Sequence, residues 1–292
     1  MARSSCLVGI MGSDTEGSLS AELYEREAHR HDLRYLCRCV DADGQAFRGK
    51  GIPELLRVCR DFGFSGLRVT PPYRHTVVPH LDELSEHAVR LGAVDLVVFT
   101  MDGRTVGHNT DAAGRVAALA RGLPGVPCAR VVQMGAGAAG TAAAHALLEQ
   151  KTEHLLVTDP DPGRARALVE QLNRQSPVPD WAETFPAEKL AAQLEGADGL
   201  VAALPSSGTE ERDASMSEAL HKNLWIFDAH RDLADSSLLW AGRALGCQVL
   251  DAGAVLVNEA AEAFRLVTGL TPHTSHMLGD FADMRAEPRV HT

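Results

Sequence analysis

One stretch decides the fold of this chain: Val131-Val132-Gln133-Met134-Gly135-Ala136-Gly137-Ala138-Ala139-Gly140. Its apolar start is typical of a buried strand, and the glycines that follow allow a tight turn into a helix. At such a turn the first backbone N–H groups of the helix are free to face a pyrophosphate, with no side chain between them. Gly135, Gly137 and Gly140 have the spacing that a dinucleotide-binding turn requires. The stretch therefore predicts a strand, a phosphate-binding turn and a helix, in that order.

An acidic residue follows at the expected distance. A second apolar run, residues 155–158, ends at Asp159, nineteen residues after Gly140. A carboxylate there can accept hydrogen bonds from both ribose hydroxyls and repels a 2′-phosphate. Residues 161–164 lack the basic cluster of an NADP site, and Arg164 is either an adenine or phosphate contact or a solvated arginine at a helix start. The sequence therefore predicts an NAD site formed by Gly135, Ala136, Gly137, Ala138, Ala139, Gly140, Asp159 and Arg164.

Length and composition indicate two domains. With 292 residues and 45% hydrophobic content, the chain can form a core in each domain. The net charge of −11 argues against a general affinity for nucleic acid or for an anionic membrane, so an anionic ligand must meet local donors. No apolar run is long enough to cross a bilayer, and the N-terminus has no long apolar segment. We therefore expect a cytoplasmic protein with no membrane or nucleic-acid partner, either a monomer or a homodimer.

The six cysteines are scattered through apolar stretches and have no Cys-x-x-Cys spacing. We expect them to be reduced thiols in the core. Cys37 and Cys39 have one residue between them, a spacing that is typical of neither a metal site nor a disulfide. The sequence therefore predicts no metal site.

Apolar runs alternate with amphipathic stretches along the whole chain, which indicates an α/β fold. The first half is expected to form its own α/β layers, with strands at 6–11, 33–39, 66–70 and 93–99 and helices at 21–31, 53–61 and 81–91. The second half predicts a doubly wound parallel sheet, with strands at 130–134, 154–158, 199–203, 224–227 and 247–250 and helices at 163–173 and 236–245. The predicted boundary lies in a helix at 112–123, and a last helix at 257–268 is expected to pack back on the first domain.

Three further segments lie outside the glycine turn. They are Gly9-Ile10-Met11-Gly12 with Ser18-Leu19-Ser20, Val69-Thr70-Pro71-Pro72-Tyr73-Arg74 with Leu91-Gly92-Ala93-Val94, and Gly107-His108-Asn109-Thr110-Asp111-Ala112-Ala113-Gly114. With them the chain resembles the shikimate and quinate dehydrogenase family nearly end to end, and Asp159 makes it similar to the NAD-preferring quinate/shikimate branch. The resemblance implies a substrate-binding α/β domain over residues 1–113, a Rossmann NAD-binding domain over 114–251, and C-terminal helices over 252–292 that return to the first domain.

The resemblance also implies which residues meet the substrate. Ser18 and Ser20, beside the N–H groups of a helix start, would hold the substrate carboxylate, and Thr70 would donate to a ring hydroxyl. Asp111 matches the family's catalytic aspartate, in a segment that would lie in the cleft between the domains. The family pairs this aspartate with a lysine, where this chain has Arg74. Arginine stays protonated and is a poor proton acceptor, so Asp111 would act as a base through water while Arg74 orients the reacting oxygen.

Further departures from the family fall in the same pocket. The resemblance places Arg68, Asp95 and Glu259 where the family has neutral amides. The resemblance also assigns Ala203 and Leu204 to the cofactor site, in a segment that lines the nicotinamide side and differs in sequence from the family's. Near them, Ser206-Ser207-Gly208 replaces a Gly-Met pair and Arg231 replaces a tyrosine. Because burying an unpaired charge is costly, the charged groups must pair with each other or with a charged ligand.

Three functions stay open from the sequence. The first is an NAD(H)-dependent oxidoreductase that interconverts a ring hydroxyl and ketone of a cyclic carboxylic acid of shikimate or quinate type. The second is a related dehydrogenase retuned for an amino-bearing or otherwise altered ring acid, in which Asp95 or Glu259 meets an ammonium group. The third is an NAD-binding sensor or partner subunit that has lost catalysis, which Arg74 in place of lysine would explain.

Overall fold

The computed structural model describes residues 5–12, 19–42, 44, 50–204, 219–229 and 236–286. The chain divides into two units, Met1–Gly114 with Leu256–Thr292 and Arg115–Val255. Both divisions fall inside helices. The predicted limits, after residues 113 and 251, lie close to these divisions.

The helices of the described residues, in chain order, are α1 (Leu19–Arg30), α2 (Ile52–Asp61), α3 (Tyr73–Thr76), α4 (Glu86–Leu91), α5 (Thr110–Gly122), α6 (Ala138–Glu149), α7 (Pro162–Gln175), α8 (Leu190–Leu194), α9 (Ser237–Leu245), α10 (Ala252–Thr268) and α11 (Thr274–Ala286). Short 3₁₀ turns occur at Val78–His80 and Ala187–Lys189.

The first unit is built on a six-stranded mixed sheet. Its strands are β1 (Ser5–Met11), β2 (Arg34–Val40), β3 (Gly66–Val69), β4 (Glu83–Leu84), β5 (Leu96–Phe99) and β6 (Thr105–His108). They lie in the order β2-β1-β3-β5-β6-β4, with β3, β5 and β6 joined by antiparallel pairing and the other pairs parallel. Met11 pairs with Val69, so β1 and β3 end at the same level. Thr70 and the residues after it therefore lie at the carboxyl ends of these parallel strands.

The second unit is built on a six-stranded parallel sheet. Its strands are β7 (Arg130–Met134), β8 (His154–Thr158), β9 (Ala182–Thr184), β10 (Gly199–Ala202), β11 (Trp225–Asp228) and β12 (Val249–Leu250). They lie in the order β12-β11-β10-β7-β8-β9, and every pairing is parallel. Numbered from β7, this is the 3-2-1-4-5-6 order of the Rossmann fold, with the change of direction between β7 and β10.

Both faces of the parallel sheet are buried, as helices on both sides of such a sheet require. Val131, Val157 and Val201 belong to one apolar cluster, and their neighbours Val132, Leu156 and Leu200 belong to another. Successive side chains of a strand point to opposite faces, so side chains on both faces of each strand are buried. This explains why β7 and β8 are mostly apolar in the sequence, with the buried Gln133 as the polar exception inside β7, and their bounds were predicted correctly.

The helix predicted over 81–91 is wrong in its first half. Glu83–Leu84 is strand β4, and the helix begins only at Glu86. The carboxylate of Asp82 accepts hydrogen bonds from the backbone N and Oγ1 of Thr105, at 2.7 and 2.8 Å, which ties this segment to β6. Ser85 then caps α4 by accepting from the backbone N of Ala88 at 3.3 Å. Strands β4, β6 and β9 and the short helices α3 and α8 were not predicted. The bounds of α11 were not predicted either, although helices were expected within 252–292.

The six cysteines form no disulfide among the described residues, but the prediction that they lie in the core is only half right. Cys6, Cys59 and Cys247 are buried, Cys37 and Cys128 are partly buried, and Cys39 is exposed. Cys37 and Cys39 lie on β2, which is an edge strand of the sheet. Among the described strands, β2 pairs only with β1. Among the described residues, no helix is both long enough and apolar enough to span a membrane.

Candidate active site

The glycine turn between β7 and α6 has the geometry of an anion-binding site. Gly137 is the N-cap residue of α6, and no side chain caps the helix there. The first N–H groups of a helix have no partner within the helix, and its dipole favours negative charge at this end. The start of α6 can therefore hold a phosphate group.

Each of the three glycines has a different reason to be glycine. Gly135 has φ +103, in the left-handed region that favours glycine, and a Cβ there would meet the carbonyl carbon and oxygen of Ala203 at 2.7 Å. A Cβ on Gly140 would lie 2.0 Å from the carbonyl oxygen of Gly135. A Cβ on Gly137 would meet nothing within 4 Å. Two glycines therefore allow the turn itself, whereas Gly137 leaves open the space at the helix start.

Side chains from the two neighbouring strands hold the turn in place. Gln133, fully buried in β7, donates from Nε2 to the carbonyl oxygens of Gly135 and Gly140, at 2.9 and 3.0 Å. Asp159 accepts from the backbone N of Ala136 at 2.7 Å and from the backbone N of Asp161 at 2.8 Å. Asp159 thus lies at the end of β8 beside the turn, as the NAD prediction requires. Gln133 was not predicted, because its role depends on two carbonyl groups whose positions the sequence does not give.

The other residues predicted to contact the cofactor differ in their surroundings. Ala138 and Ala139 form the first turn of α6. Ala203 is buried directly after β10 and contacts the turn at Gly135, with Leu204 next to it. Arg164 is exposed, and its Nε lies 3.5 Å from the Asp161 carboxylate, which agrees with the interpretation of a solvated arginine. Residues 205–208 and Arg231 lie outside the described residues.

In the first unit, Arg74 and Asp111 form an ion pair. Arg74 Nη1 donates to Asp111 Oδ2 at 2.6 Å, and Arg74 Nε donates to the carbonyl oxygen of Val69 at 3.3 Å. Asp111 is buried in the first turn of α5, and Arg74 belongs to the short helix α3 that follows β3. The resemblance predicted this pairing, and the structure places the two side chains in direct contact.

Asp95 and Asn109 cap helix α5 from two sides. Asp95 is fully buried; its Oδ1 accepts from the backbone N and Oγ1 of Thr110, at 2.8 and 2.7 Å, and its Oδ2 accepts from the backbone N of Asp111 at 2.8 Å. Asn109 Oδ1 accepts from the backbone N of Ala112 at 2.9 Å. A carboxylate at this end of a helix is stabilised by the free N–H groups and the dipole. Both oxygens of Asp95 are therefore engaged in positioning the start of α5.

Arg68 neutralises part of this buried negative charge. Its Nη1 donates to Thr110 Oγ1 at 3.1 Å. Burial lowers the pKa of Arg68, but Tyr24, Asp95, Asp111 and Glu259 raise it by more, so the guanidinium stays charged. Burial and the neighbouring Asp111 raise the pKa of Asp95, against the opposing effect of Arg68. One network of interacting charges therefore comprises Arg68, Asp95, Asp111 and Glu259.

Tyr24 is a member of this network that the sequence did not suggest. Its side chain is fully buried on α1, and its hydroxyl has no hydrogen-bond partner among the described residues. Burial raises the pKa of Tyr24 to about 12, which Arg68 opposes and Asp95 and Glu259 reinforce. The tyrosine therefore stays neutral beside the charges.

The remaining predicted substrate residues are placed as follows. Ser20 is partly buried in the first turn of α1, whereas Ser18 lies outside the described residues. The hydroxyl of Thr70 donates to the carbonyl oxygen of Met11 at 2.9 Å, so in this arrangement it can accept from a ring hydroxyl but does not donate to one. Glu259 is buried on α10, and its backbone N would lie 2.6 Å from a Cβ on Gly114. This close approach explains why position 114 is glycine.

Comparison with known proteins identifies the family of this chain. Residues 10–97 match a family described as the shikimate dehydrogenase substrate binding domain. A shikimate dehydrogenase (NADP(+)) of Streptomyces avermitilis is 44% identical over 291 residues, which cover 99% of each chain. The chain belongs to the shikimate and quinate dehydrogenase family. A quinate/shikimate dehydrogenase (NAD(+)) of Corynebacterium efficiens is 36% identical and covers 97% of this chain and 100% of its own.

The family assignment extends to the fold of the whole chain. The structure of quinate dehydrogenase from Corynebacterium glutamicum in complex with NAD is similar with a TM-score of 0.82 and 35% identity, covering 96% of this chain and 99% of that one. Within the shikimate and quinate dehydrogenase family, this chain carries Arg74, Arg68, Asp95 and Glu259 at positions where the resemblance gives a lysine and three amides. The structure places Arg68 and Asp95 around the same residue, Thr110, so these two departures compensate each other's charge.

Proposed function

We propose that this chain is an NAD-dependent dehydrogenase that interconverts a ring hydroxyl and a ring ketone on a cyclic carboxylic acid of shikimate or quinate type. The observation that carries the proposal is the Arg74–Asp111 pair at 2.6 Å, held at the start of α5 in a chain whose glycine turn is intact. We assign the substrate to residues 1–114 with 256–292 and the nucleotide to residues 115–255.

The choice of NAD rests on the end of β8. Relatives are named for NADP and for NAD, so family membership alone leaves the nucleotide open. The Asp159 carboxylate lies beside the glycine turn and would repel a ribose 2′-phosphate bound there, and Arg164 is paired with Asp161. The open space at Gly137 fits a pyrophosphate close to the backbone. Bound NAD would supply the hydride acceptor for the alcohol, or in reduced form the hydride donor for the ketone.

Asp111 is assigned as the group that takes the hydroxyl proton during oxidation, directly or through one water. Arg74 cannot take that proton, because its guanidinium stays protonated. Its donors instead fix the Asp111 carboxylate and stabilise negative charge on the reacting oxygen. Ser18 and Ser20 are assigned to the substrate carboxylate, and Thr70 to a ring hydroxyl as an acceptor.

The test is the rate of nicotinamide reduction by the purified protein with shikimate, quinate and an amino analogue, using NAD and NADP in parallel. We expect turnover with NAD and at least one hydroxy acid, and a much lower rate with NADP. Tight NAD binding without turnover on any ring acid would contradict the proposal.

A function as a catalytically inactive NAD-binding sensor is the second candidate, and Arg74 in place of the family's lysine is the observation that favours it. Arg74→Lys separates the two functions. If the wild type is silent and the variant turns over a ring acid, the arginine has switched off catalysis. If the wild type is active, the sensor function is excluded.

The alternative of a dehydrogenase for an amino-bearing ring acid has less support than the sequence suggested. Both oxygens of Asp95 already accept hydrogen bonds from Thr110 and Asp111, so an ammonium group would have to displace them. Glu259 is the remaining carboxylate that could meet such a group. Glu259→Gln should then weaken an amino substrate far more than a hydroxy substrate, and equal losses would exclude this alternative.

A further inference from the structure

A carboxylate and two imidazoles meet in the first unit, outside the residues assigned to substrate. Glu27 lies in the last turn of α1, His31 directly follows the end of that helix, and His273 lies directly before α11. We call these three residues the Glu27 cluster. Glu27 Oε1 lies 3.0 Å from His31 Nε2 and 2.9 Å from His273 Nδ1. The three ligand atoms all lie within 4.8 Å of one another.

The distances fit the edges of a metal coordination polyhedron. Zinc binds histidine nitrogen and carboxylate oxygen at about 2.0–2.2 Å, so two of its ligand atoms at a tetrahedral angle lie roughly 3.3 Å apart. The two measured separations from Glu27 Oε1 are only slightly shorter. A small outward movement of the imidazoles would place an ion between the three atoms. His273 is half exposed at 50%, so its side chain is free to make that movement.

Hydrogen bonds and ring stacking hold the ligand atoms of the Glu27 cluster in place, as outer contacts do at metal sites. The Glu27 side chain is fully buried, yet its Oε1 also accepts from the backbone N of His273 at 2.6 Å, and its Oε2 accepts from Arg30 Nη1 at 3.2 Å. Such outer hydrogen bonds fix the orientation of a ligating carboxylate. The His31 ring stacks on His273 with centroids 4.8 Å apart, and His273 stacks on His276 at 5.5 Å. The imidazoles are thus held together on one side of the carboxylate.

We propose that the Glu27 cluster binds a divalent transition-metal ion of the zinc type. The two imidazole nitrogens and one carboxylate oxygen ligate the ion, and water from the exposed side of His273 fills the remaining position. On binding, the imidazole nitrogens that now face Glu27 Oε1 ligate the ion, and each ring keeps one hydrogen on its other nitrogen. A neutral imidazole therefore changes tautomer without net proton release, whereas an imidazolium releases one proton to solvent. Two neutral imidazoles and one carboxylate are ligands that zinc commonly takes in proteins. The ion would join α1 to the start of α11, which are 246 residues apart at Glu27 and His273.

The experiment is a calorimetric titration of the full chain, stripped with chelator, with Zn²⁺, followed by Co²⁺ as a spectroscopic probe. We expect one site with a dissociation constant of about 1 μM or tighter. His273→Ala, at a half-exposed position, should weaken it by at least about tenfold and abolish the visible absorption of four-coordinate Co²⁺. The metal should raise the melting temperature of the wild type but not of this variant.

His154→Ala is the matched control. His154 Nε2 lies 2.8 Å from Glu183 Oε1 in the second unit, and among the described residues this histidine–glutamate pair belongs to no group of three metal-ligating side chains. Removing it should leave Zn²⁺ binding unchanged. The proposal is overturned if the wild type binds no Zn²⁺ at about 100 μM, if His273→Ala binds as tightly as the wild type, or if both variants lose equal affinity. In those cases the cluster is a hydrogen-bonded contact only.

Discussion

The two units each present the start of a helix, and they use it in opposite ways. At α6 the cap is Gly137, no side chain closes the helix, and a Cβ there would meet nothing within 4 Å. At α5 the chain's own carboxylate, Asp95, accepts from the first two backbone N–H groups. The same physical property, free donors at a helix N-terminus, therefore leaves one site open for a phosphate and uses the other to hold Asp111 in place.

The comparison shows where function resides in each unit. In the second unit it depends on backbone shape, which glycine spacing encodes. In the first unit it depends on a network of charged side chains from β3, the residue before β5, and helices α5 and α10. We call the start of α6 at Gly137 the open helix start and the start of α5, capped by Asp95, the closed helix start. Substitutions at the open helix start should therefore affect nucleotide binding. Substitutions at the closed helix start should affect the chemical step and its pH dependence.

The largest expected effect is at the closed helix start. Asp111→Asn keeps the shape of the side chain but removes the proton acceptor, so kcat should fall by about 10²–10⁴-fold. NAD affinity should stay within about twofold, because Asp111 belongs to the other unit. Steady-state kinetics together with calorimetric NAD binding measure both effects. A variant that keeps kcat within about tenfold of the wild type would remove Asp111 from the chemistry.

The next effect is at the open helix start, where two glycines can be compared. On Gly140 a Cβ would lie 2.0 Å from the backbone oxygen of Gly135, so Gly140→Ala should destabilise the protein by about 3 kcal/mol or more and weaken NAD binding at least about 100-fold. Gly137→Ala should leave the melting temperature nearly unchanged, since its Cβ enters open space, but weaken NAD binding by about tenfold.

Thermal unfolding and NAD titration of the two variants test this contrast. Equal loss of stability in both would mean that position 137 is structural, like position 140. Full NAD affinity in Gly137→Ala would mean that the pyrophosphate does not approach the backbone there.

The sequence predicted the open site better than the closed one, for physical reasons. Strands β7 and β8 are buried on both faces, so each is mostly apolar, and the ends of both were predicted correctly from the sequence. The glycine spacing is local and fixes the turn. By contrast, β6 is four residues long with a glycine inside, and its pairing with β5 and β4 depends on contacts such as the one between Asp82 and Thr105.

The charges of the first unit show the same limit. The resemblance identified Arg68, Asp95 and Glu259 as unusual, and the cost of burying charge predicted that they pair. Their partners, however, lie far away along the chain, as with Arg68 and Thr110. Asp95 was interpreted as a group that faces the ligand, and only the structure reveals it as a cap of α5. Non-local hydrogen bonds of this kind leave no pattern in the sequence around either residue.

Two buried carboxylates of the first unit should respond to pH with opposite signs. Burial and Asp111 raise the pKa of Asp95, so the folded state holds this proton to higher pH than the unfolded state does. Its contribution to stability is largest below the ordinary pKa of about 3.9 and is lost as pH rises through the raised value. For Glu27, burial opposes ionisation, but hydrogen bonds from His273 and His31 lower the pKa overall. Its contribution is present above about pH 4.3 and is lost as pH falls through the lowered value.

Asp95→Asn and Glu27→Gln test these signs. Measured from about pH 4 to pH 7 in chelator, the melting temperature of Asp95→Asn should improve relative to the wild type as pH rises. That of Glu27→Gln should worsen relative to the wild type over the same range. Each variant loses hydrogen bonds at every pH, so the slope and not the offset is diagnostic. Parallel slopes for the two variants would contradict the assignment of opposite shifts.

The smallest expected effect concerns Gln133, whose two bonds hold the open turn in shape. Gln133→Met keeps a side chain of similar size but loses the donors to Gly135 and Gly140, which are worth about 1 kcal/mol each. The same change removes the buried Oε1, which has no hydrogen-bond partner among the described residues and costs about 1–3 kcal/mol. Stability should therefore change little, while NAD affinity falls roughly threefold to tenfold because the turn is no longer held before the ligand arrives. A fall in melting temperature with unchanged affinity would instead make Gln133 a structural residue of β7, and the open helix start would owe its shape to the glycines alone.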